Sequence, residues 1–568
     1  MTRRDREAGG RRSSAEPDPG HVCLATGVAL LLLGLIGVLA RFGDLPLIDP
    51  DEGRNAGVAV EMARAGEWAV PMLHGMPYLD KPVLLFAALR AAIGLFGETE
   101  LAARLPLLLA GLMTLFFTHR LARTLFDRDV AWLSVGALAV SPLFIAFSRY
   151  VIFDGLLTAC VLFAWWMGER GRRGAPLGHV AAWGGIGLAV LAKGPIGLLL
   201  GLVGLLVLHL AQGSRRTASL FPPLGLALFA LVVGPWIAQV ERTQPGFLRY
   251  ALVTESAERF LTPAMKRSGP FWYYLPVLFV GFLPWSALLL ARLRHQWRDG
   301  TDRGALRALA LTAALVVLFF SLSRSKLPGY VLPILPLLAI LVGHDLRTLL
   351  RDPRARRADS LLIAAPWLVL GVASGAAVLL EAPLARWLRL PATMIEPTLQ
   401  LFGAVALIAF APAAFALIVA GRGRRGVSVA ACGAVMPMLL LLGLPFADAY
   451  AETNSARALA ARIRVVAPRP LERVCHQCYP PGLSFYLAGE FVVATADGRE
   501  LTSNYLRRNF PTLPKDSGVI GLTEFDRGLA SGVFAAVISR RDEAPSTGYR
   551  LDGRFGRFRL WVRERTGS

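Results

Sequence analysis

Two short stretches near the N-terminus concentrate the side chains that could do chemistry: Asp49-Pro50-Asp51-Glu52-Gly53-Arg54 and Tyr78-Leu79-Asp80-Lys81-Pro82. Carboxylates set beside Lys and Arg can divide the work of a group transfer. A carboxylate takes the proton from an incoming hydroxyl, and the cations stabilise an anionic leaving group. Similar charges recur at the edges of later apolar runs: Arg149 and Asp154, Lys193 in Leu191-Ala192-Lys193-Gly194-Pro195, Glu255 with Arg259, and Lys326 in Ser325-Lys326-Leu327-Pro328-Gly329-Tyr330. Asp154 and Lys193 carry the most weight, because a charge at the centre of a bilayer helix costs about 2.5–3.5 kcal/mol. Taken alone, Lys193 also fits a hairpin anchor whose ammonium snorkels to the interface. Taken with Asp154 and the Asp51 stretch, a shared polar cavity is the better account, since buried charges need partners.

The elements that must position these groups are membrane helices. Of the 568 residues, 54% are hydrophobic and only 18% charged, and apolar runs of the roughly 20 residues needed to span a bilayer follow one another. Composition and run length give an all-α polytopic membrane protein with about thirteen spans, the first Val22–Ala40 and the last Val427–Leu444. The net charge of +21 comes from arginine clusters between the runs, such as Arg120/Arg123/Arg128 and Arg170/Arg172/Arg173. That is the pattern of cytoplasmic loops, and it argues against nucleic-acid binding. All the clusters fall inside if Val83–Phe96 lies along the membrane without crossing it. Residues 1–21 then form a cytoplasmic tail, 22–447 the transmembrane domain with an external first loop at 41–104, and 448–568 a small external α/β domain. In that last part, helical periodicity at Ala456–Val465 precedes strand-like Phe491–Thr495 and Val533–Ile538.

Under this topology Asp51, Asp80, Lys81, Asp154, Lys193 and Lys326 all belong to the outer face. Arg324 and Lys326 also fit plain anchors at a span end, but a basic pair on the outer side runs against the orientation rule and favours an anionic ligand. A cavity at that face suits a lipid-linked phosphate carrying a transferable group. No nucleotide-binding motif is present: neither GxxxxGK[ST] nor GxGxxG after a strand occurs. Cys23, Cys160 and Cys432 read as small core residues. Cys475-His476-Gln477-Cys478 reads as a disulfide or free thiol pair rather than a zinc site, because a second pair of ligands is lacking.

In order along the chain, the two stretches above, Arg149 through Asp154, Lys193-Gly194-Pro195, Arg259-Phe260, Pro270-Phe271-Trp272-Tyr273-Tyr274, Leu283-Pro284-Trp285 and Ser325 through Tyr330 form a specific set. It resembles bacterial GT-C glycosyltransferases of the protein-mannosyltransferase/aminoarabinose-transferase group, in particular the lipid A aminoarabinose transferases. The resemblance implies inverting transfer of a sugar from undecaprenyl phosphate, with a divalent metal involved. It makes Asp51 the catalytic carboxylate, with Asp154 and Lys193 tied to it. Lys81 and Arg259 would hold the lipid phosphate with Arg54 nearby, and Tyr78 would line the pocket. Lys326 joins them as a further phosphate contact. Two positions depart from the group: Asp80 stands where it has Glu, and Ser256 where it has His. Asp80 keeps a carboxylate able to hold a divalent ion, whereas Ser256 is a poor zinc ligand.

The expected function is therefore transfer of 4-amino-4-deoxy-L-arabinose or a similar sugar to lipid A or another envelope acceptor. The enzyme would be a monomer in the bacterial inner membrane, working at the periplasmic face among membrane lipids. Two other readings stay open: protein O-mannosylation on Ser or Thr, and a polyprenyl-lipid transporter or flippase. Transporters of the latter kind show repeats with broken helices at the midplane, and no repeat is visible in this chain.

Overall fold

The computed structural model describes residues 18–214, 217–258, 269–296, 302–352, 357–380, 392–510 and 518–564. Each of the expected spans is helical. The first ten helices are α1 (Pro19–Leu39), α2 (Asp51–Arg64), α3 (Leu84–Phe96), α4 (Glu100–Leu125), α5 (Arg128–Ala139), α6 (Pro142–Phe147), α7 (Phe153–Arg172), α8 (Gly178–Lys193), α9 (Pro195–Leu210) and α10 (Pro223–Thr243). Among the described residues, eight helices are long and apolar enough to cross a membrane, or nine if the pair Phe271–Gly281 and Ser286–Arg292, bent by 113°, counts as one span. The other spans are shorter or interrupted. One expected span is split into α5 and α6, where the helix stops at Val140 and restarts at Pro142, a residue with no N–H to give to a continuing helix. Helix α3 has 13 residues, or about 20 Å, well short of a bilayer core of about 30 Å. That length agrees with a segment lying along the membrane.

The bundle has polar layers at its two ends and apolar packing between them. At one end, buried Glu169 accepts hydrogen bonds from Arg172, Arg173 and Gln212, Arg347 pairs with Asp127, and Arg351 with Asp129. Arg172 and Arg173 belong to an arginine cluster expected on the cytoplasmic side. At the other end lie α2, a short hairpin of β1 (Met72–Leu73) and β2 (Met76–Pro77), the start of α7 and the C-terminal residues of α8.

The C-terminal part carries a six-stranded sheet in the order β5-β4-β3-β6-β8-β7. Its strands are β3 (Arg473–His476), β4 (Val492–Ala494), β5 (Val519–Ile520), β6 (Ala536–Ser539), β7 (Tyr549–Phe555) and β8 (Phe558–Arg563). The pairs β3–β4, β3–β6 and β4–β5 are parallel, joined by crossovers that carry short helices, while β8 and β7 add an antiparallel hairpin edge. Cys475 and Cys478 are both free and buried.

This module does not stand apart from the first loop. Ala56, Val60, Leu73 and Phe86 from the loop share one continuous apolar core with Leu459, Ile463, Leu483 and Phe485. Helix α2 approaches the segment at Gly482 so closely that a Cβ on Gly53 would lie 2.6 Å from Gly482 Cα. The glycine of the Asp-Glu-Gly-Arg run is thus a packing residue. A buried ion pair fastens the same helix from its other side: Arg104 of α4 donates through Nε and a terminal nitrogen to the two oxygens of Glu52, at 3.0 and 2.8 Å. Glu52 also accepts the backbone N–H groups of Ile48 and Val151, which satisfies a carboxylate that is 1% exposed.

Candidate active site

Helix ends deliver the charged groups. Asp154 sits in the first turn of α7 and Lys193 in the last turn of α8, so each complements the partial charge of its own helix terminus. The two helices pack side by side, and Lys193 Nζ donates to Asp154 Oδ1 at 2.5 Å. The ammonium also lies 4.7 Å from the centre of the Tyr330 ring, a cation–π distance. Gly329 packs directly against Asp154: a Cβ there would come within 2.8 Å of the carboxyl carbon. This explains the glycine in the Pro328-Gly329-Tyr330 run.

Lys193, Lys81, Asp80, Glu255 and Tyr330 line one cavity of about 680 Å³. Its remaining wall is mostly apolar, including Leu199, Phe229, Phe247, Leu252 and Phe320. The volume lies within the roughly 300–1,000 Å³ of small-molecule sites. Lys81 is ion-paired with Glu255, and its Nζ also donates to its own residue's neighbour, the Asp80 carbonyl, at 2.7 Å. Glu255 lies in a π-helical stretch, Tyr250–Glu258, a geometry frequent at functional sites.

Asp51 and Arg54 form a second group one helical turn apart on α2, joined at 2.5 Å. They do not line the cavity wall, but they belong to the same end of the bundle. Asn55, next to Arg54, donates to the Val151 carbonyl at 2.9 Å, three residues before Asp154. Tyr78 connects the two groups. Burial pushes its hydroxyl above the ordinary range, and Arg54, Asp80, Glu255 and Asp51 all act on it electrostatically. Burial opposes the charge of Arg54 too, but Tyr78, Asp51 and Asp80 outweigh it and hold the guanidinium above its usual value. Asp51, at 25% exposed, stays accessible to solvent.

Two expected roles, those of Lys326 and Asp80, and one flanking charge, Arg149, meet a different geometry. Lys326 is buried, and its Nζ donates to the Ser321 and Ser323 carbonyls at 2.9 and 2.5 Å. It satisfies orphan carbonyls at the C-terminal end of helix Arg303–Leu322 and is not part of the cavity wall. Arg149 does the same for α1, donating to the Gly37 and Ala40 carbonyls at 2.8 and 2.6 Å. Asp80 was the expected metal ligand, yet its oxygens take three hydrogen bonds: from the Tyr250 hydroxyl at 2.7 Å and from the backbone N–H groups of Asn504 and Tyr505 at 2.9 Å each. Among the described residues, no three His, Cys, Asp or Glu side chains gather to hold an ion. The donor set does not fit a divalent metal, and no step below passes through one. Arg259 lies outside the described residues.

Glu255 was visible in the sequence as one charge among several and had no assigned partner. Arg104, Tyr250 and Asn504 gave no sequence signal, because their partners lie 52, 170 and 424 positions away.

Residues 80–238 match the family model described as dolichyl-phosphate-mannose-protein mannosyltransferase. The undecaprenyl phosphate-α-4-amino-4-deoxy-L-arabinose arabinosyl transferase of Edwardsiella ictaluri is 31% identical over 365 residues, covering 62% of this chain and 65% of the relative. The chain thus matches just under two thirds of that protein's length. The transferase of the same description from Erwinia tasmaniensis is 30% identical over 387 residues, covering 66% of this chain and 68% of its own length. Among solved structures, ArnT from Cupriavidus metallidurans bound to undecaprenyl phosphate superposes with a TM-score of 0.81, covering 95% of this chain and 98% of that one at 24% identity. That similarity shows the shared GT-C fold. With the ordered charges and the arabinosyl transferases' similarity on the same membrane scaffold, the chain belongs to the undecaprenyl phosphate-α-4-amino-4-deoxy-L-arabinose arabinosyl transferase family.

Proposed function

We propose that this chain moves a sugar, 4-amino-4-deoxy-L-arabinose or one similar to it, from undecaprenyl phosphate to lipid A or another envelope acceptor. The observation that carries the reading is the cavity: a mostly apolar wall with Lys81 and Lys193 set in it. A hydrocarbon chain with an anionic head matches both parts. Apolar walls take the polyprenyl chain by the hydrophobic effect, and two ammonium groups in a water-poor site favour the phosphate far more than they would in bulk water.

In this mechanism Lys81 and Lys193 hold the phosphate, and both acquire more negative charge to stabilise as the glycosidic C–O bond breaks. The acceptor hydroxyl oxygen attacks the anomeric carbon from the opposite face and inverts it. Asp51 takes the hydroxyl proton, and undecaprenyl phosphate leaves with the bonding electron pair. Arg54 pairs with Asp51 and orients it, and Asp154 fixes the Lys193 ammonium. The N-terminus lies in the cytoplasm, the C-terminal domain and the site face the periplasm, and the protein acts as a monomer.

The test uses the purified protein with undecaprenyl-phosphate-linked aminoarabinose and lipid A. Release of undecaprenyl phosphate together with modified lipid A is expected. Passage of the intact lipid-linked sugar between leaflets without release would establish a transporter instead. Asp51→Asn and Lys81→Ala should each lose at least about 100-fold in transfer rate while folding normally. Activity like the wild type's in either variant removes that residue from the mechanism.

A further inference from the structure

The donor cavity is completed by a part of the chain more than four hundred positions away. The short helix Asn504–Asn509 of the C-terminal domain rests on the cavity's rim. Its first two N–H groups, from Asn504 and Tyr505, donate to the two oxygens of Asp80. The Asn504 side-chain amide donates to Glu255 Oε2 at 3.3 Å, while Lys81 holds the other oxygen of the same carboxylate. The Tyr505 hydroxyl donates to Gln244 at 3.1 Å, and Arg508 donates to Thr254 at 2.9 Å. Tyr250 and Tyr505 meet edge to face at 5.1 Å. The helix therefore grips both segments that carry the cavity's charged rim, Asp80-Lys81 and Gln244–Glu255.

We propose that Asn504 and Tyr505 are positioning residues for the donor phosphate, acting through Asp80 and Glu255 on Lys81. This rests on the reading of the cavity as a polyprenyl-phosphate site. Glu255 neutralises Lys81 in the ligand-free protein, and an incoming phosphate competes with it for the ammonium. Asn504 supplies the carboxylate with a second donor, so Glu255 can give up Lys81 without becoming a buried, unpaired charge. The two backbone bonds to Asp80 fix the residue next to Lys81 at the same time.

The residue's place in the helix permits a graded test. Asn504→Ala removes the amide and keeps the backbone N–H. Asn504→Pro removes both, and proline is well tolerated at the first position of a helix. The preceding Ser503 has φ −107° and ψ 129°, the extended conformation that a following proline requires. Arg64→Ala serves as the docking control, because it cuts the exposed Arg64–Glu490 ion pair between α2 and the C-terminal domain, away from the cavity.

Binding of undecaprenyl phosphate to the full-length protein in detergent is measured by native mass spectrometry, alongside KM and kcat for transfer. Asn504→Ala should weaken binding and raise KM about five- to tenfold, the loss of one hydrogen bond to a charged group. Asn504→Pro should weaken it further, and Arg64→Ala should leave it within about twofold, as for an exposed ion pair. In the Asn504 variants kcat should change less than KM. Unchanged binding in both Asn504 variants overturns the proposal, and so does an equal loss in Arg64→Ala, which would reduce the helix to a general docking contact. If Asn504→Pro fails to fold, Asn504→Ala decides alone. Graded binding in a protein that transfers no sugar overturns the proposed function and leaves this inference standing.

Discussion

Replacing Lys193 by Met separates stability from chemistry at the centre of the site. In the native protein, Asp154 is 4% exposed and Lys193 13%, so the pair is desolvated. Removing the ammonium strands a carboxylate between Gly329 and the apolar start of α7. Breaking a buried pair from one side costs about 3–5 kcal/mol, whereas replacing both partners by neutral groups is often near neutral. Lys193→Met and Asp154→Asn should each destabilise strongly, and the double variant should regain most of the loss. The double-mutant cycle then yields a coupling of about 3 kcal/mol or more, against about 0.2–1 kcal/mol for an exposed pair. Equilibrium unfolding in mixed micelles with increasing SDS measures the four stabilities. Transfer from undecaprenyl-phosphate-linked sugar is assayed on the same preparations. The double variant should be folded yet slowed at least about 100-fold, since the phosphate has lost one of its two cations. A coupling below about 1 kcal/mol would show the pair to be solvated. A double variant that recovers activity with stability would refute the role given to Lys193.

Three further outcomes follow from the frame that holds the site. Arg104→Ala strands Glu52 at 1% exposure and should destabilise by about 3–5 kcal/mol, while Arg104→Lys restores only part because it cannot reproduce the two-pronged contact; the same unfolding assay reads both. Gly53→Ala should push α2 off Gly482 and expose the C-terminal domain to limited proteolysis; a wild-type digestion pattern would contradict the close approach at that position. Burial raises Glu61 from near 4.5 to about 8 and Asp49 from near 3.8 to about 7, and each has a buried oxygen without a hydrogen-bond partner among the described residues. A raised carboxylate binds a proton in the folded state that the unfolded state lacks, so its stabilisation is present at low pH and lost as pH rises through the folded value. His74, lowered by burial to about 4, works in the opposite direction below its ordinary 6.5. Docking of the C-terminal domain should therefore weaken most plainly between about pH 6.5 and 8. Glu61→Gln should flatten that slope in hydrogen exchange of α2, and an unchanged slope would exclude Glu61 as its source.

Much of this site could be read from sequence because membrane cost makes charges conspicuous. Asp154 and Lys193 stood out at the ends of apolar runs, and the structure joins them directly. Lys81 and Asp80 line the cavity. Lys326 was read as a phosphate contact from a basic pair that breaks the orientation rule, but the end of a helix offered its ammonium carbonyls at hydrogen-bond distance. Glu255 needed its partner to acquire a role, and nothing local announces a pairing across 174 positions. The sheet was only half legible: β4 and β6 are apolar enough to show, whereas the hairpin Tyr549–Phe555 and Phe558–Arg563 alternates with arginines and resembles a polar loop.

The first loop and the last hundred residues close over one apolar core, so loss of the C-terminal domain should expose the apolar face of α2 and disturb the loop that carries Lys81. Lys81 and the helix Asn504–Asn509 that bonds its neighbour Asp80 lie more than four hundred positions apart. Frameshifts or stop codons late in the gene should silence the protein as thoroughly as losing Lys81 itself.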